Sequence, residues 1–290
     1  MTPEEVSQFC LHLAARNYSP HTIESYRLDL RLFFDSAAQP PRAVSWRNLD
    51  DFIAIQHRHG LAATTINRRL NAVKRFYDYL AEESQSRTVN PVKPSHFLRT
   101  GRSLPKKLSR EQIKRLFASI NNPMDRALFL LMLRGGLRVS EVAKLKLVDV
   151  DWEQKMLLVE QGKGRKDRWV YLSADALSSL HECLRRRPLS APGHYIFWNQ
   201  KRTRCPLSVK AIQKKMERYA QIAGIKASCH SLRHTFASNL LEEGAEVVSI
   251  RELLGHSSIA SSERYARLSN RRVKQEYLQT IRKVISKTRV

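Results

Sequence analysis

Residues 84–109, SQSRTVNPVKPSHFLRTGRSLPKKLS, carry three prolines (Pro91, Pro94 and Pro105) and no apolar periodicity. Proline lacks an amide hydrogen and fixes its own φ, so neither a helix nor a central strand can run through such a stretch. The chain of 290 residues is therefore expected to fold in two parts: a first domain over 1–85, a linker over 86–108 and a second domain over 109–290. Hydrophobic residues make up 42% of the chain, enough to bury a core.

The first 85 residues read as four helices. Thr2-Pro3-Glu4-Glu5 opens one, and Ser19-Pro20 opens the next, along which Ile23, Tyr26, Leu30 and Phe33 recur at helical spacing. Ser45 caps a third that ends near Gly60, and the fourth, from about Ala62, lines up Ile66, Leu70, Val73, Phe76, Tyr77 and Leu80. After the linker, a cap-like Ser109-Arg110-Glu111-Gln112 starts a helix, an apolar helix follows over 123–134, and Gly135-Gly136 breaks it. The period changes at 155–172, where KMLLVE and RWVYL flank the turn QGKGRKD as a basic β-hairpin. Helices are expected again at 173–186, 207–222, 229–243 and 246–254, with two more at 258–266 and 270–286. The fold class is thus mainly α with a small β-hairpin or sheet in the second domain.

The charge is lopsided. The whole chain carries a formal +24, but residues 1–100 hold 13 Lys and Arg against 10 Asp and Glu, and residues 101–290 hold 38 against 17. So basic a second domain calls for a polyanion, and nucleic acid is the leading candidate. In the first domain, Arg68, Arg69, Lys74 and Arg75 share one helical pattern and are candidate phosphate contacts, as are Arg165 and Lys166 on the hairpin tip. No run of 18 or more apolar residues occurs, so no membrane span is expected. The N-terminus does not read as a secretory signal. Cys10, Cys183, Cys205 and Cys229 lie far apart, which speaks against a disulfide scaffold or zinc ribbon and for a reducing cytoplasm, where so basic a chain is expected at the bacterial nucleoid.

Four clusters in the second domain carry chemistry. Gly136-Leu137-Arg138-Val139-Ser140-Glu141 puts Arg138 at a helix start, three residues from Glu141. Gly162-Lys163-Gly164-Arg165-Lys166-Asp167-Arg168 gathers cations on a flexible tip. His230-Ser231-Leu232-Arg233-His234 projects His230 and Arg233 together, and Leu253-Leu254-Gly255-His256 is followed nine residues later by Tyr265. Taken singly, each has a bland reading: a surface ion pair, a basic turn, a structural His–Arg pair, a packing tyrosine. Taken together they make a metal-free phosphoryl-transfer set. Arginine forks match phosphate and stay charged, and a pair can neutralise a five-coordinate phosphorus. A phenol can be a covalent nucleophile, a lysine can protonate a leaving 5′-hydroxyl, and histidines can handle the phenol proton. No two-metal carboxylate cluster and no GxxxxGK[ST] loop is visible, so neither metal nor ATP is expected as a cofactor.

The ordered set GLRVSE, GKGRKDR, HSLRH, LLGH and Tyr265 resembles the tyrosine recombinases of the phage-integrase family, and the likeness runs almost end to end. Each motif alone is weak; their order and spacing are specific. The resemblance implies a helical, SAM-like core-binding domain and a mixed α/β catalytic domain forming a C-shaped clamp on duplex DNA. It implies that Arg138 and Arg233 hold the scissile phosphate and that Lys163, with Lys166 beside it on the same tip, protonates the leaving oxygen. His230 would act as base or proton shuttle and His256 as a phosphate ligand. Tyr265 would attack to form a 3′-phosphotyrosyl bond, and Glu141 would support the site. It further implies an inverted-repeat core site on double-stranded DNA and strand exchange through a Holliday junction. The assembly would be a homotetramer, or a heterotetramer with a related recombinase, with helix 270–286 docking into a neighbouring protomer; the alternative is that this helix packs against its own domain.

The absence of an extra N-terminal domain and of a long insertion before HSLRH leaves a compact Xer-like or transposon- or plasmid-resolvase type. Two alternatives stay open: a type IB topoisomerase, which would relax supercoils without a defined site, and a non-catalytic site-specific DNA-binding protein.

Overall fold

The computed structural model describes residues 3–83, 89–101, 107–160, 167–188, 193–199, 205–255 and 266–288, the last without the side chains of 266–273. The chain divides into two compact units, Met1–Ser103 and Leu104–Val290.

The first unit is built on four helices: α1 Glu4–Ala15, α2 Pro20–Ala37, α3 Trp46–Arg58 and α4 Ala63–Glu83. Their starts follow local chemistry. Ser19 Oγ accepts the Thr22 amide at 3.1 Å with Pro20 in the first turn of α2. The Ser45 amide donates to Asn48 Oδ1 at 2.9 Å ahead of α3. The apolar spacings converge on one core, in which Phe33 and Phe52 meet edge to face with centroids 5.2 Å apart and Phe9 and Phe76 with centroids 5.7 Å apart.

Part of the expected linker belongs to this unit. Asn90 Nδ2 donates to Asp78 Oδ1 at 2.7 Å, Val92 is buried, and the Asn67 amide bonds both the carbonyl and the amide of Leu98 at 2.9 Å. The prolines bar regular structure but not packing: asparagine side chains on α4 and after it stand in for the missing ladder.

In the second unit, α5 Arg110–Ala118 follows the Ser109 cap, and α6 Pro123–Gly135 is buried along almost its whole length, between α8 Ala174–Arg185 and α10 Cys229–Glu242. Gly136 ends α6 in the left-handed region at φ 64°, and the single turn α7 Val139–Val142 follows. The expected hairpin is β2 Met156–Val159 and β3 Arg168–Tyr171, paired antiparallel from Met156 with Tyr171 to Val159 with Arg168. A two-residue strand, β1 Val150–Asp151, adds to its β2 edge; two residues are too few to show a period in sequence. Helices α9 Val209–Ile222, α11 Val247–Leu254 and α12 Ala266–Lys287 complete the unit.

The tail departs from expectation. One helix, α12, covers 266–287; the helix expected at 258–266 falls, but for Ala266, outside the described residues. Within the single chain, α12 packs on its own unit. Tyr277, Ile281 and Val284 are buried with Phe236, Leu240, Leu253 and Leu254. Arg134, 1% exposed, donates to Asp175 and, from both terminal nitrogens, to Thr288 Oγ1 and Thr288 O at 2.8 and 2.9 Å. Apolar residues at helical spacing demand a buried face without saying whose surface covers it.

Among the described residues, no helix is long and apolar enough to cross a membrane.

Candidate active site

The second unit holds an open cleft of 670 Å³, into which Arg138, His230, Arg233 and His234 project. Local structure explains their convergence. The left-handed turn at Gly136 lets the chain leave α6 and start α7 at once, with Arg138 at the N-cap. A carboxylate is placed under it: Glu141 Oε2 accepts the Arg138 amide at 2.7 Å and Oε1 accepts the Arg138 guanidinium at 2.7 Å. Ser228 caps α10, so His230 stands in its first turn and Arg233 one turn later on the same side. The His230 and His234 rings meet edge to face at 4.3 Å.

Glu141 is shared by three arginines. Besides Arg138 it accepts Arg168 from β3 in a two-bond fork at 3.0 and 2.9 Å, and Arg233 stands 3.9 Å away. Burial would raise its carboxyl, but the bonds and charge of Arg168, reinforced by those of Arg138, hold it down at about 2. The last turn of α11 supplies carbonyls to the same arginines. Arg168 Nε donates to Leu253 O at 2.9 Å, Arg233 to Leu254 O at 2.6 Å and Arg138 to Gly255 O at 3.4 Å. Arg233 also donates to Gly136 O. Burial and then the neighbouring Arg138 charge push the Arg233 guanidinium down to about 10. It stays protonated at neutral pH.

Three arginines facing one carboxylate leave the site with positive charge to spare, and an oxyanion is what would balance it. The His230 imidazole is depressed from its ordinary value by burial, then by His234 and Arg233, which favours the neutral form that can accept a proton.

Of the expected site residues, Arg138, Glu141, His230 and Arg233 are brought together. Lys163, Arg165, Lys166, His256 and Tyr265 lie outside the described residues. In sequence, His256 directly follows Gly255 and Tyr265 directly precedes α12. Arg168 was not foreseen as a site residue: it sat in the quoted basic run but read as one more cation of a turn.

The first unit separates the four basic residues expected to touch phosphates. Lys74 and Arg75 face solvent on α4, Lys74 pairing with Asp78 at 2.9 Å. Arg68 bonds the buried Asp29 while keeping half of its side chain exposed. Arg69 bonds Gln56, stands 4.0 Å from Asp29 and is 17% exposed. Its charge is directed at a buried carboxylate, a contact that helical spacing cannot reveal. Among the described residues, no group of three His, Cys, Asp or Glu is placed to hold a metal ion.

Comparison with known proteins identifies the family. Residues 106–272 match the phage integrase family, and residues 6–84 match the N-terminal SAM-like domain of phage integrases. The tyrosine recombinase XerA of Pyrococcus furiosus is 33% identical over 277 residues, covering 94% of this chain and 92% of that protein. The tyrosine recombinase XerC of Halalkalibacterium halodurans is 32% identical over 293 residues, covering 94% and 95%. The same fold occurs in the Tn1549 transposon integrase (residues 82–397) in complex with circular intermediate DNA, with TM-score 0.73, 17% identity and coverage of 92% and 99%. It occurs also in a lambda integrase (75–356) dimer bound to a core site, with TM-score 0.71, 18% identity and coverage of 90% and 98%. These relatives give no support to a topoisomerase or a non-catalytic DNA-binding protein. With a family match over residues 106–272 and relatives aligned over nearly their full length, the chain belongs to the phage integrase family and is a tyrosine recombinase.

Proposed function

We propose that this enzyme is an Xer-like site-specific recombinase that cuts and rejoins double-stranded DNA at an inverted-repeat core site, as a tetramer of itself or with a related recombinase. The observation that carries the reading is the Arg138–Arg233 pair lining one cleft together with His230. The Xer-like subtype is supported by XerA and XerC relatives that align over more than nine-tenths of both chains.

In this mechanism the two arginines bind the non-bridging oxygens of the scissile phosphate, with His256 as a further donor. The Tyr265 oxygen forms a bond to phosphorus as the bond to the 5′-oxygen breaks. His230 takes the phenol proton and Lys163 delivers one to the leaving oxygen. One phosphodiester becomes one phosphotyrosyl ester, so the reverse attack by a new 5′-hydroxyl needs no ATP, and no step calls for a metal. Pairwise exchange then passes through a Holliday junction. A lambda integrase tetramer of the same fold is known bound to one. The enzyme would act in the cytoplasm, on chromosomal or plasmid dimers.

The test is recovery of covalent protein–DNA adducts from cells making the unsubstituted protein or Tyr265→Phe, with the attached DNA sequenced and chelator present during the assay. Adducts at one inverted repeat that vanish in the variant are expected. Adducts scattered without a site would point to a topoisomerase. Intact binding with no adduct in either protein would leave a DNA-binding protein, and either result overturns the reading.

A further inference from the structure

We propose that Arg168 is a positioning residue for DNA cleavage, acting by drawing both Glu141 oxygens into its own fork, so that the carboxylate makes one side-chain bond to Arg138, stays 3.9 Å from Arg233 and leaves their remaining donors to the phosphate. The inference rests on the cleavage reading above and adds a residue to it.

Glu141 is a natural competitor of the substrate. It is a buried carboxylate in bonding distance of Arg138 and 3.9 Å from Arg233, and a carboxylate offers arginine the same two-oxygen acceptor geometry as a phosphate. What distinguishes it from a bound substrate is that both of its oxygens are already taken by the Arg168 fork, at 3.0 and 2.9 Å. Arg168 itself is not among the residues lining the cleft, and its side chain is only 8% exposed. Each of its three nitrogens has a protein partner, the third being Leu253 O at 2.9 Å. It is therefore committed to the protein, whereas Arg138 and Arg233 line the cleft, Arg138 with 29% of its side chain exposed and Arg233 as buried as Arg168.

The bond to Leu253 extends the effect. Leu253, Leu254 and Gly255 are consecutive, and their carbonyls are taken in turn by Arg168, Arg233 and Arg138. Carbonyls in the last turn of a helix have no intrahelical donor and form its negative end, so three cations from β3, α10 and the start of α7 settle there together. Gly255 then turns the chain out of α11 at φ 64°. Arg168 thus holds the carboxylate and the α11 terminus in one fixed relation. With it gone, Glu141 can turn both oxygens to Arg138 and Arg233, and the substrate must displace a carboxylate to enter.

This gives a non-additive signature that a merely structural arginine would lack. Arg168→Met is expected to slow single-turnover cleavage of the core-site duplex roughly 10- to 100-fold, the worth of one charge-assisted hydrogen bond in the transition state. The DNA dissociation constant should stay within about threefold, since many phosphate contacts elsewhere set it. Adding Glu141→Gln to that variant should speed cleavage again, because the competing charge is removed. Arg168→Lys, which keeps the charge but not the fork, should fall between.

Melting temperature controls for folding. If Arg168→Met does not fold, Arg168→Lys with and without Glu141→Gln makes the same comparison. A second readout, inorganic phosphate binding followed by phosphorus NMR, uses no cleavage. It should weaken in Arg168→Met and recover in the double variant. Cleavage that falls further in the double variant, or phosphate binding indifferent to Arg168, overturns the proposal. An unsubstituted protein that never cleaves, yet shows the phosphate pattern, would overturn the recombinase reading and leave the role of Arg168 standing.

Discussion

Gly136→Ala is the substitution whose consequence can be worked out most completely. Gly136 sits at φ 64°, where a side chain strains the backbone by about 1–2 kcal/mol. A Cβ there would also lie 2.4 Å from Phe236 Cδ1, 2.6 Å from Phe236 Cε1 and 3.1 Å from Leu254 Cδ2. Phe236 is buried and cannot swing away, so overpacking adds roughly 1–3 kcal/mol. The sum, about 2–5 kcal/mol, should lower the melting temperature of a unit this size by roughly 5–15 °C.

Gly224 provides the internal control. It has φ 63° with nothing within 4 Å of its would-be Cβ, so Gly224→Ala carries only the backbone strain and should melt roughly 2–6 °C lower than the unsubstituted protein. Scanning calorimetry on the three proteins compares them directly. Because Gly136 O accepts Arg233, Gly136→Ala should also slow cleavage more than it weakens DNA binding. A Gly136→Ala protein that melts no lower than Gly224→Ala would refute the packing at the head of the site.

Glu141 should make a pH-dependent contribution to stability. Its folded pKa of about 2 lies below the ordinary 4.5, so the contribution is complete above about pH 4.5 and is lost as pH falls toward 2. That shift is worth about 3 kcal/mol, and urea unfolding should show a pH slope over this range that Glu141→Gln lacks; equal slopes would count against the ion cluster. Arg134→Met strands Asp175 and Thr288 and should destabilise the seat of α12 by about 3 kcal/mol, seen as faster amide exchange in α12 with the first unit unaffected. Unchanged exchange would mean that the apolar face alone holds the helix. DNA binding should weaken roughly 10³- to 10⁵-fold between 50 and 200 mM salt if 6–10 phosphates are contacted, and a flat dependence would contradict a phosphate-gripping protein.

Much of this protein is legible in its sequence wherever a property is local or periodic. The faces of α2 and α4, the Ser19, Ser45 and Ser109 starts and the β2–β3 hairpin follow from spacing and capping, which act over a few residues. The residue types and order of GLRVSE, GKGRKDR, HSLRH and Tyr265 point to phosphoryl transfer because few side chains can do that chemistry.

What sequence could not decide is every matter of which partner a group finds across the fold. Spacing put Arg69 with Arg68 on a basic helix face, but only the approach of α2 turns it toward Asp29. Prolines announced a break at 84–109, and only the Asn67 and Asn90 bonds fold part of it onto the first unit. The apolar stripe of α12 required a cover, and only tertiary structure supplies its own unit as that cover. Arg168 looked like one cation in a basic turn until β3, α7 and the end of α11 brought Glu141 and Leu253 to its three nitrogens. A chain encodes its short-range preferences residue by residue. Long-range pairing of charges and faces is settled only when whole elements pack, because burial is what makes an unpartnered charge too costly to leave alone.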